Sequence, residues 1–213
     1  MQELYVILGD VLSSKKIKNR DQFQEKLIQA CDKINKTYKE ELYANFDIIK
    51  GTDEIGGVLK EITHFYQIIT EISDFIGLNR MRFALVKDKI DIGLDQKEIS
   101  RMDGPAFHTA ANLMQELKKE KLIFKMSTSD YMFDNLVTNT INLIYLLKKS
   151  WSTKKIEIIR EYEKSRDQKQ VASKFNIKQQ DVSYHLKSSN WKEVEKIESD
   201  LAKVIKLYST EKK

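Results

Sequence analysis

The chain contains few of the residues that build disulfide frameworks or sharp backbone kinks, and it lacks long apolar runs. Its 213 residues include one cysteine, one proline and seven glycines. The single cysteine, Cys31, excludes a disulfide framework and a zinc site built on several thiolates, and its place on a predicted helix favours a buried, small apolar side chain. The longest apolar runs, residues 4–8 and 143–147, are far shorter than the ~20 residues that span a bilayer. The N-terminus shows no basic, apolar signal segment, so we expect a cytoplasmic protein.

Residues 1–127 also have no excess of positive or negative side chains. Residues 1–127 carry 20 basic and 20 acidic side chains, whereas residues 128–213 carry 17 basic and 12 acidic ones. The whole formal charge of +5 therefore lies in the second part. A basic excess confined to one segment is typical of a nucleic-acid-binding domain joined to a neutral partner domain. We therefore predict two domains, 1–127 and 128–213, each long enough to bury a core.

The segment 168–187, QKQVASKFNIKQQDVSYHLK, predicts a helix-turn-helix in an all-α second domain. Apolar side chains recur at helical spacing over about 168–175 and 179–187. Asn176 falls in the turn, where the left-handed backbone conformation is needed and asparagine tolerates it. An ordinary helical hairpin has the same spacing and stays an alternative. The outer side chains of the second helix and those at its ends suit the base edges and phosphates of double-stranded DNA; they are Lys178, Gln179, Gln180, Ser183, Tyr184 and Lys187.

Two longer helices of the second domain predict a contact with another apolar surface. The helix 131–149 is apolar on more than one stripe, so we expect it to be buried between the domains or in a dimer. The helix that begins at Trp191 carries apolar residues at three- and four-residue spacing as far as Tyr208, which suits a two-helix seam. Packing inside one subunit explains the same pattern. Since one recognition helix reads few base pairs, we expect a homodimer that uses the helices 131–149 and 192–208.

The pattern of apolar and polar residues in the first domain predicts an α+β fold. Its elements follow the order strand, helix, strand, strand, helix, strand, which is typical of a ferredoxin-like antiparallel sheet backed by two helices. Asp10 follows the first apolar run, and Asp53 lies in the turn of a predicted hairpin. If the two carboxylates converge at one sheet edge, they suit a hard divalent cation such as Mg²⁺. Aspartate is also favoured in turns and caps, so a purely structural role is the alternative.

Three segments of the chain resemble the SatD family of bacterial proteins: ILGDVLSSKKIKNRDQFQEKL, GTDEIGGVL and MDGPAFHTAANLM. The resemblance covers most of the chain and implies a C-terminal helix-turn-helix. The N-terminal half of that family is similar to the palm domain of class III nucleotide cyclases and GGDEF diguanylate cyclases, where two acidic residues hold two metals that bind a nucleoside triphosphate. Asp10 and Asp53 match those two positions. The resemblance therefore implies Mg²⁺ or Mn²⁺ at Asp10 and Asp53. We expect a nucleotide held there to lie near Lys50, Gly51 and Glu54.

The cyclase pattern is incomplete further along the chain. Cyclases carry an Asn and an Arg on the helix after the fourth strand, whereas His108 and Asn112 stand at the aligned positions. Without that fixed cation, phosphoryl transfer loses much of its electrostatic stabilisation, so we assign no catalytic residue. We expect a DNA-binding transcriptional regulator whose palm-like domain senses a small molecule or nucleotide, or mediates assembly. The alternatives are a metal-dependent nucleotide cyclase or nucleotidyl transferase, and a non-catalytic interaction protein.

Overall fold

A computed structural model of the chain describes residues 2–14, 17–51, 53–77 and 81–211, apart from the side chain of Lys50. The chain divides by its contacts into two compact units, Met1–Asn142 with Ala202–Lys213, and Leu143–Leu201. The first part of the helix 131–149, up to Asn142, belongs to the unit that contains the sheet. The predicted domain boundary after Ser127 stays a prediction.

The fold is a mixture of helices and one β-sheet, as the sequence predicted. The sheet has five strands in the order β2-β3-β1-β4-β5. Its strands are β1 (Gln2–Val11), β2 (Leu42–Lys50), β3 (Glu54–Leu59), β4 (Met81–Ile90) and β5 (Phe124–Ser127). The helices in the described residues are α1 (Arg20–Thr37), α2 (Phe65–Ile76), α3 (Pro105–Glu120), α4 (Tyr131–Lys149), α5 (Thr153–Ser165), α6 (Gln168–Phe175), α7 (Gln179–Ser188) and α8 (Trp191–Glu211), and a short 3-10 helix covers Ile99–Arg101.

The first four strands are antiparallel, and the order β1-α1-β2-β3-α2-β4 confirms the predicted order of elements. The fifth strand, β5, extends this antiparallel sheet and pairs with β4 in parallel. The reason is the crossover helix α3, which lies between β4 and β5 in the chain and lets it return in the same direction.

Both faces of the sheet are covered. Leu4 and Val6 of β1 belong to the same buried cluster as Ala106 and Met114 of α3. Ile7, which points to the opposite face because side chains alternate along a strand, is also fully buried. On α1, Cys31 is buried and is a free thiol, as its place in the sequence predicted.

Polar side chains of α4 satisfy the free backbone groups of β5 at the edge of the sheet. Asp134, Thr138 and Asn142 are four residues apart, so they lie on one face of α4. Their oxygen atoms accept hydrogen bonds from the backbone N–H groups of Thr128 at 2.8 Å, Met126 at 3.3 Å, and Ile123 and Phe124 at 3.0 and 3.3 Å. The Asn142 amide also donates to the Phe124 carbonyl at 2.8 Å. This face of α4 therefore takes the place of a sixth strand.

The smaller unit contains α5, α6 and α7, which contact one another pairwise. Its buried side chains come from all three helices and include Ile158, Val171, Val182 and Leu186. Ser152 caps α5 by accepting a hydrogen bond from the N–H of Lys155 at 3.3 Å, and Asp167 caps α6 by accepting from Lys169 and Gln170. These caps fix where α5 and α6 begin. Since α7 packs against both helices, they also help to position α7.

Candidate functional site

Three charged residues form a row across one end of the sheet. Asp10 of β1 is the register partner of Glu54 on β3 and of Arg82 on β4. Only 7% of the surface of Asp10 is exposed. Its Oδ1 lies 2.8 Å from the ammonium of Lys118 on α3, and its Oδ2 lies 3.5 Å from Nη1 of Arg82. A carboxylate so nearly buried requires such partners, because an unpaired buried charge is strongly destabilising.

Asp10 and Asp53, the expected metal ligands, do not lie side by side on the sheet as the sequence indicated. The residue beside Asp10 is Glu54, whereas Asp53 lies in the preceding turn, where its carbonyl accepts a hydrogen bond from the N–H of Val11 at 3.0 Å. Lys118 and Arg82 already balance the charge of Asp10. In the parts of the chain that the structure describes, no group of three or more His, Cys, Asp or Glu side chains has a metal-binding arrangement. The assignment of a metal to Asp10 and Asp53 stays a prediction.

The residues expected to hold a nucleotide are only partly described. The side chain of Lys50 lies outside the described residues. Gly51 occupies the hairpin turn with a φ of 63°, the left-handed region that glycine enters without strain. Glu54 borders a cavity, and its carboxylate lies 4.0 Å from Lys118.

That cavity lies between the charged end of the sheet and α3, and its volume is 440 Å³. This size falls within the range of small-molecule sites, about 300 to 1,000 Å³. Its lining includes charged or polar side chains, among them Asp10, Glu54, Lys118, and Asp103 and His108, whose Oδ1 and Nε2 atoms are 3.1 Å apart. The apolar residues of the lining are Leu8, Ile49, Ile55, Phe107, Ala111 and Met114.

The sequence did not indicate most of this cavity. Neither Asp103 nor Lys118 was among the candidate site residues of the sequence. Of the two residues aligned with cyclase positions, His108 lines the cavity, whereas Asn112 is exposed on α3. A helical repeat from His108 through Ala111 and Gln115 to Lys118 is a signal that could have shown these residues on one face.

In the smaller unit, α6 and α7 are joined by a tight turn. Asn176 adopts the predicted left-handed conformation, with φ 51° and ψ 50°. The N–H of Ile177 donates to the carbonyl of Ala172 at 3.0 Å, which closes the end of α6 as a Schellman-type bond does. The predicted helices 168–175 and 179–187 correspond to α6 and α7.

Lys178 is the N-cap residue of α7, a position where serine or threonine is usual. Its side chain carries donors only, so it accepts no hydrogen bond from the helix. Asp181 compensates, because its carboxylate accepts a hydrogen bond from the backbone N–H of Lys178 at 3.0 Å. The same carboxylate places negative charge in the first turn, where the helix dipole favours it.

The residues predicted to contact DNA lie on the outer side of α7. Val182 and Leu186 are buried beneath it. Tyr184 is 68% exposed, and the exposed set also includes Lys178, Gln179, Gln180 and Lys187. Ser183 is half-buried and lines an open groove of 320 Å³ that also contacts Lys187 and Gln168 of α6.

The inner side of α7 carries a histidine with a shifted pKa. His185 has its Nδ1 buried without a hydrogen-bond partner in the described structure. Burial lowers the pKa of His185 because the charged imidazolium loses solvation, and the nearby ammonium groups of Lys155 and Lys154 lower it further. The ring is therefore held neutral in the folded unit at neutral pH.

The described chain is thus an α+β protein with a charged cavity on its sheet and a compact helical unit. It belongs to the SatD family, whose model matches residues 4–200. The match covers nearly the whole chain and confirms the resemblance carried by the three sequence segments. No protein of curated function matches the chain. No helix in the described residues is long and apolar enough to cross a membrane.

Proposed function

We propose that the protein is a DNA-binding regulator in which α6 and α7 form a helix-turn-helix and α7 enters the major groove of double-stranded DNA. The observation that carries the proposal is the tight turn at Asn176 combined with an outer face of α7 that is free of packing. Gln179, Gln180 and Tyr184 are exposed there, and glutamine side chains pair with base edges in the major groove. In a helix-turn-helix the second helix makes those base contacts.

The charges of the smaller unit support the same function. Residues 143–201 carry 13 Lys and Arg against 9 Asp and Glu. Lys178 and Lys187 are exposed at the two ends of α7, where they can contact phosphates on either side of a groove. Gln168 lies at the start of α6 beside the same groove as Lys187, which adds one more phosphate donor. Binding of this kind weakens steeply with salt because counterions are released from DNA.

The test begins with selection of genomic DNA fragments by the full chain. Replacing Gln180 and Ser183 together with alanine removes two base contacts, each worth about 1 to 3 kcal/mol, so affinity for the selected site should fall by at least tenfold. A matched control replaces Gln29 and Ser199, which are exposed on other helices, with alanine. If the Gln180 and Ser183 variant selects the same fragments with the same affinity as the control, α7 is not the recognition helix.

The cavity between the sheet and α3 is the proposed ligand-sensing site of the larger unit. Its mixed lining suits a small molecule with an apolar body and a polar end. A nucleotide with Mg²⁺ or Mn²⁺ is the second candidate, and the adjacency of Asp10 and Glu54 beside the cavity favours it. The ion pairs of Asp10 with Lys118 and Arg82 oppose it, since a metal ion would have to replace an ammonium that is 2.8 Å away. These residues as arranged do not fit a two-metal site.

A melting series with ATP or GTP and Mg²⁺ or Mn²⁺, followed by chromatography for pyrophosphate and cyclic products, separates these candidates. A regulator that senses another ligand shows no product and little change in Tm. A bound nucleotide would raise the free energy of unfolding by roughly 2.7 kcal/mol at a hundred times its Kd. Product that disappears in the Asp10→Asn and Asp53→Ala variants would establish a metal-dependent nucleotide cyclase or nucleotidyl transferase and overturn the regulatory proposal for this unit.

A further inference from the structure

The exposed face of α4 carries a heptad seam. Five positions follow one another at spacings of four, three, four and three residues: Met132, Leu136, Asn139, Leu143 and Leu146. The four apolar members are 83%, 55%, 53% and 58% exposed, in chain order, and Asn139 is exposed as well. Since α4 is uninterrupted from Tyr131 to Lys149, these side chains lie along one side of the helix. A repeat of this spacing is the pattern by which one helix packs along another.

Among the described residues, these seam side chains stay exposed instead of packing into the fold. The opposite side of α4 is packed by Phe133, Val137, Ile141 and Ile144, all buried. A further side satisfies the edge of β5 through Asp134, Thr138 and Asn142. Four large apolar side chains exposed on one line are more than scattered surface residues, and such a patch marks an interaction surface.

The charges of α4 indicate an uncharged partner helix. Its charged residues are Asp134, Lys148 and Lys149. Asp134 accepts hydrogen bonds from Thr128, and Lys148 pairs with Glu198 at 2.7 Å. Only Lys149 is exposed at the end of the helix. Among the five seam side chains, a second copy therefore meets no like charge, and a charged partner finds no complementary group.

The position of Asn139 points to a second copy in particular. Asn139 is the middle one of the five seam positions, so it meets its own counterpart whether the two helices run parallel or antiparallel. A carboxamide has both donors and an acceptor, and two of them can satisfy each other. A buried asparagine without such a partner would be costly against an apolar peptide or lipid. In coiled coils one such polar residue fixes register and the number of helices.

We propose that α4 is the homodimer interface of this protein, with the seam of one copy packed on the seam of the second and with paired Asn139 side chains at the twofold axis. The five side chains expose on the order of 500 Å² per copy, so their contact buries about 1,000 Å², the lower limit for a specific interface. The area predicts a weak dimer that forms in the micromolar range. The α4 dimer goes beyond the proposed function, because it forms whether or not α7 binds DNA.

Sedimentation velocity of the full chain without DNA tests the proposal. The wild type should move from the 25.0 kDa monomer toward twice that mass across the micromolar range. Replacing Leu136 and Leu143 together with glutamate should keep it monomeric and still folded, as judged by a cooperative melt. The control variant Ile92→Glu changes another apolar residue, 60% exposed, and should associate as the wild type does. A wild type that stays monomeric throughout, or a seam variant that still dimerises, overturns the proposal.

A cysteine at the axis gives a second measurement that adds no charge to the seam. Asn139→Cys should form a disulfide-linked dimer on mild oxidation, because each thiol faces its own counterpart. The control variant Ser199→Cys is exposed on α8 and should cross-link much more slowly, and the native Cys31 is buried. Equal rates for the two variants would contradict an axis at Asn139. Since neither experiment contains DNA, a failed dimer and a failed recognition helix are distinguishable.

Discussion

Lys118, on the last turns of α3, places its ammonium nitrogen 2.8 Å from Oδ1 of Asp10, near the end of the central strand β1. The pair joins two segments that are 108 residues apart in the chain. It also decides the electrostatics of the cavity, because it supplies a positive charge at the point where the sequence alone indicated two unbalanced carboxylates.

Removal of that ammonium should destabilise the larger unit. In Lys118→Met, Asp10 keeps only the longer contact with Arg82, at 3.5 Å, and its nearly buried carboxylate loses its shortest ion pair. Because Lys118 is 44% exposed and water can partly replace it, we expect a loss of about 1 to 3 kcal/mol in the free energy of unfolding. Urea unfolding measures it, with Lys119→Met, an exposed neighbour, as the control. The same variant should gain more stability from Mg²⁺ than the wild type does, and an equal response would show that Lys118 does not shield Asp10.

The turn between α6 and α7 should be sensitive to the loss of the asparagine side chain. Asn176 has a φ of 51°, and a residue with an ordinary Cβ costs roughly 1 to 2 kcal/mol in the left-handed region. Asn176→Ala should therefore lower the free energy of unfolding of the smaller unit by about 1 kcal/mol, whereas Asn176→Gly should preserve it. Chemical unfolding of both variants, compared with Ser173→Ala on the exposed side of α6, measures the difference. Equal stability of the alanine and glycine variants would contradict a strained turn.

Asp181 should show opposite effects on stability and on DNA binding. Its carboxylate caps α7 by accepting from the N–H of Lys178, so Asp181→Ala should cost about 1 kcal/mol of stability. The same change removes a negative charge from the face proposed to meet the phosphates, so affinity for DNA should rise at low salt. Thermal melts and a binding titration on one preparation measure both effects. A drop in affinity in the folded variant would place the DNA on another surface.

The half-buried His185 predicts that acid destabilises the smaller unit. Burial lowers the pKa of His185 in the folded state below its usual value of 6.5, so the unfolded chain binds a proton more readily. The resulting stability is fully present above pH 6.5 and is lost as the pH falls below that value. His185→Gln should flatten the dependence of stability on pH between neutral and mildly acidic conditions. The control His108→Gln changes a histidine whose side chain is 70% exposed, and it should leave the pH dependence of this unit unchanged.

Local features of the fold could be predicted from the sequence, because they depend on nearby residues. The bounds of α4 and α6 and the left-handed Asn176 follow from helical periodicity and from the backbone preference of asparagine. The neighbour of Asp10 could not be predicted in this way. Side chains alternate along a strand, so one residue of register decides whether Asp53 or Glu54 shares its face. The contact with Lys118 depends on how α3 lies across the sheet, which no local pattern specifies.

The direction of β5 and the roles of the two sides of α4 are also long-range properties. The periodicity of α4 indicated more than one apolar stripe, but it did not show which stripe stays exposed. That became clear only from the hydrogen bonds of Asp134 and Asn142 with β5, which turn one side of the helix toward the sheet. The side of α4 that neither contacts β5 nor is buried is the exposed seam, which includes Met132 and Leu136.

The hydrogen bonds between α4 and β5 also protect the protein against aggregation. An edge strand with free N–H and C=O groups accepts a strand from another molecule, and a sheet can then grow without limit. Because the side chains of Thr138 and Asn142 occupy these groups, this edge cannot recruit a foreign strand unless the helix first detaches. Partial unfolding that releases α4 would therefore open a route to fibrous association, and the concentration at which the protein stays clear on heating should depend on how firmly α4 is held.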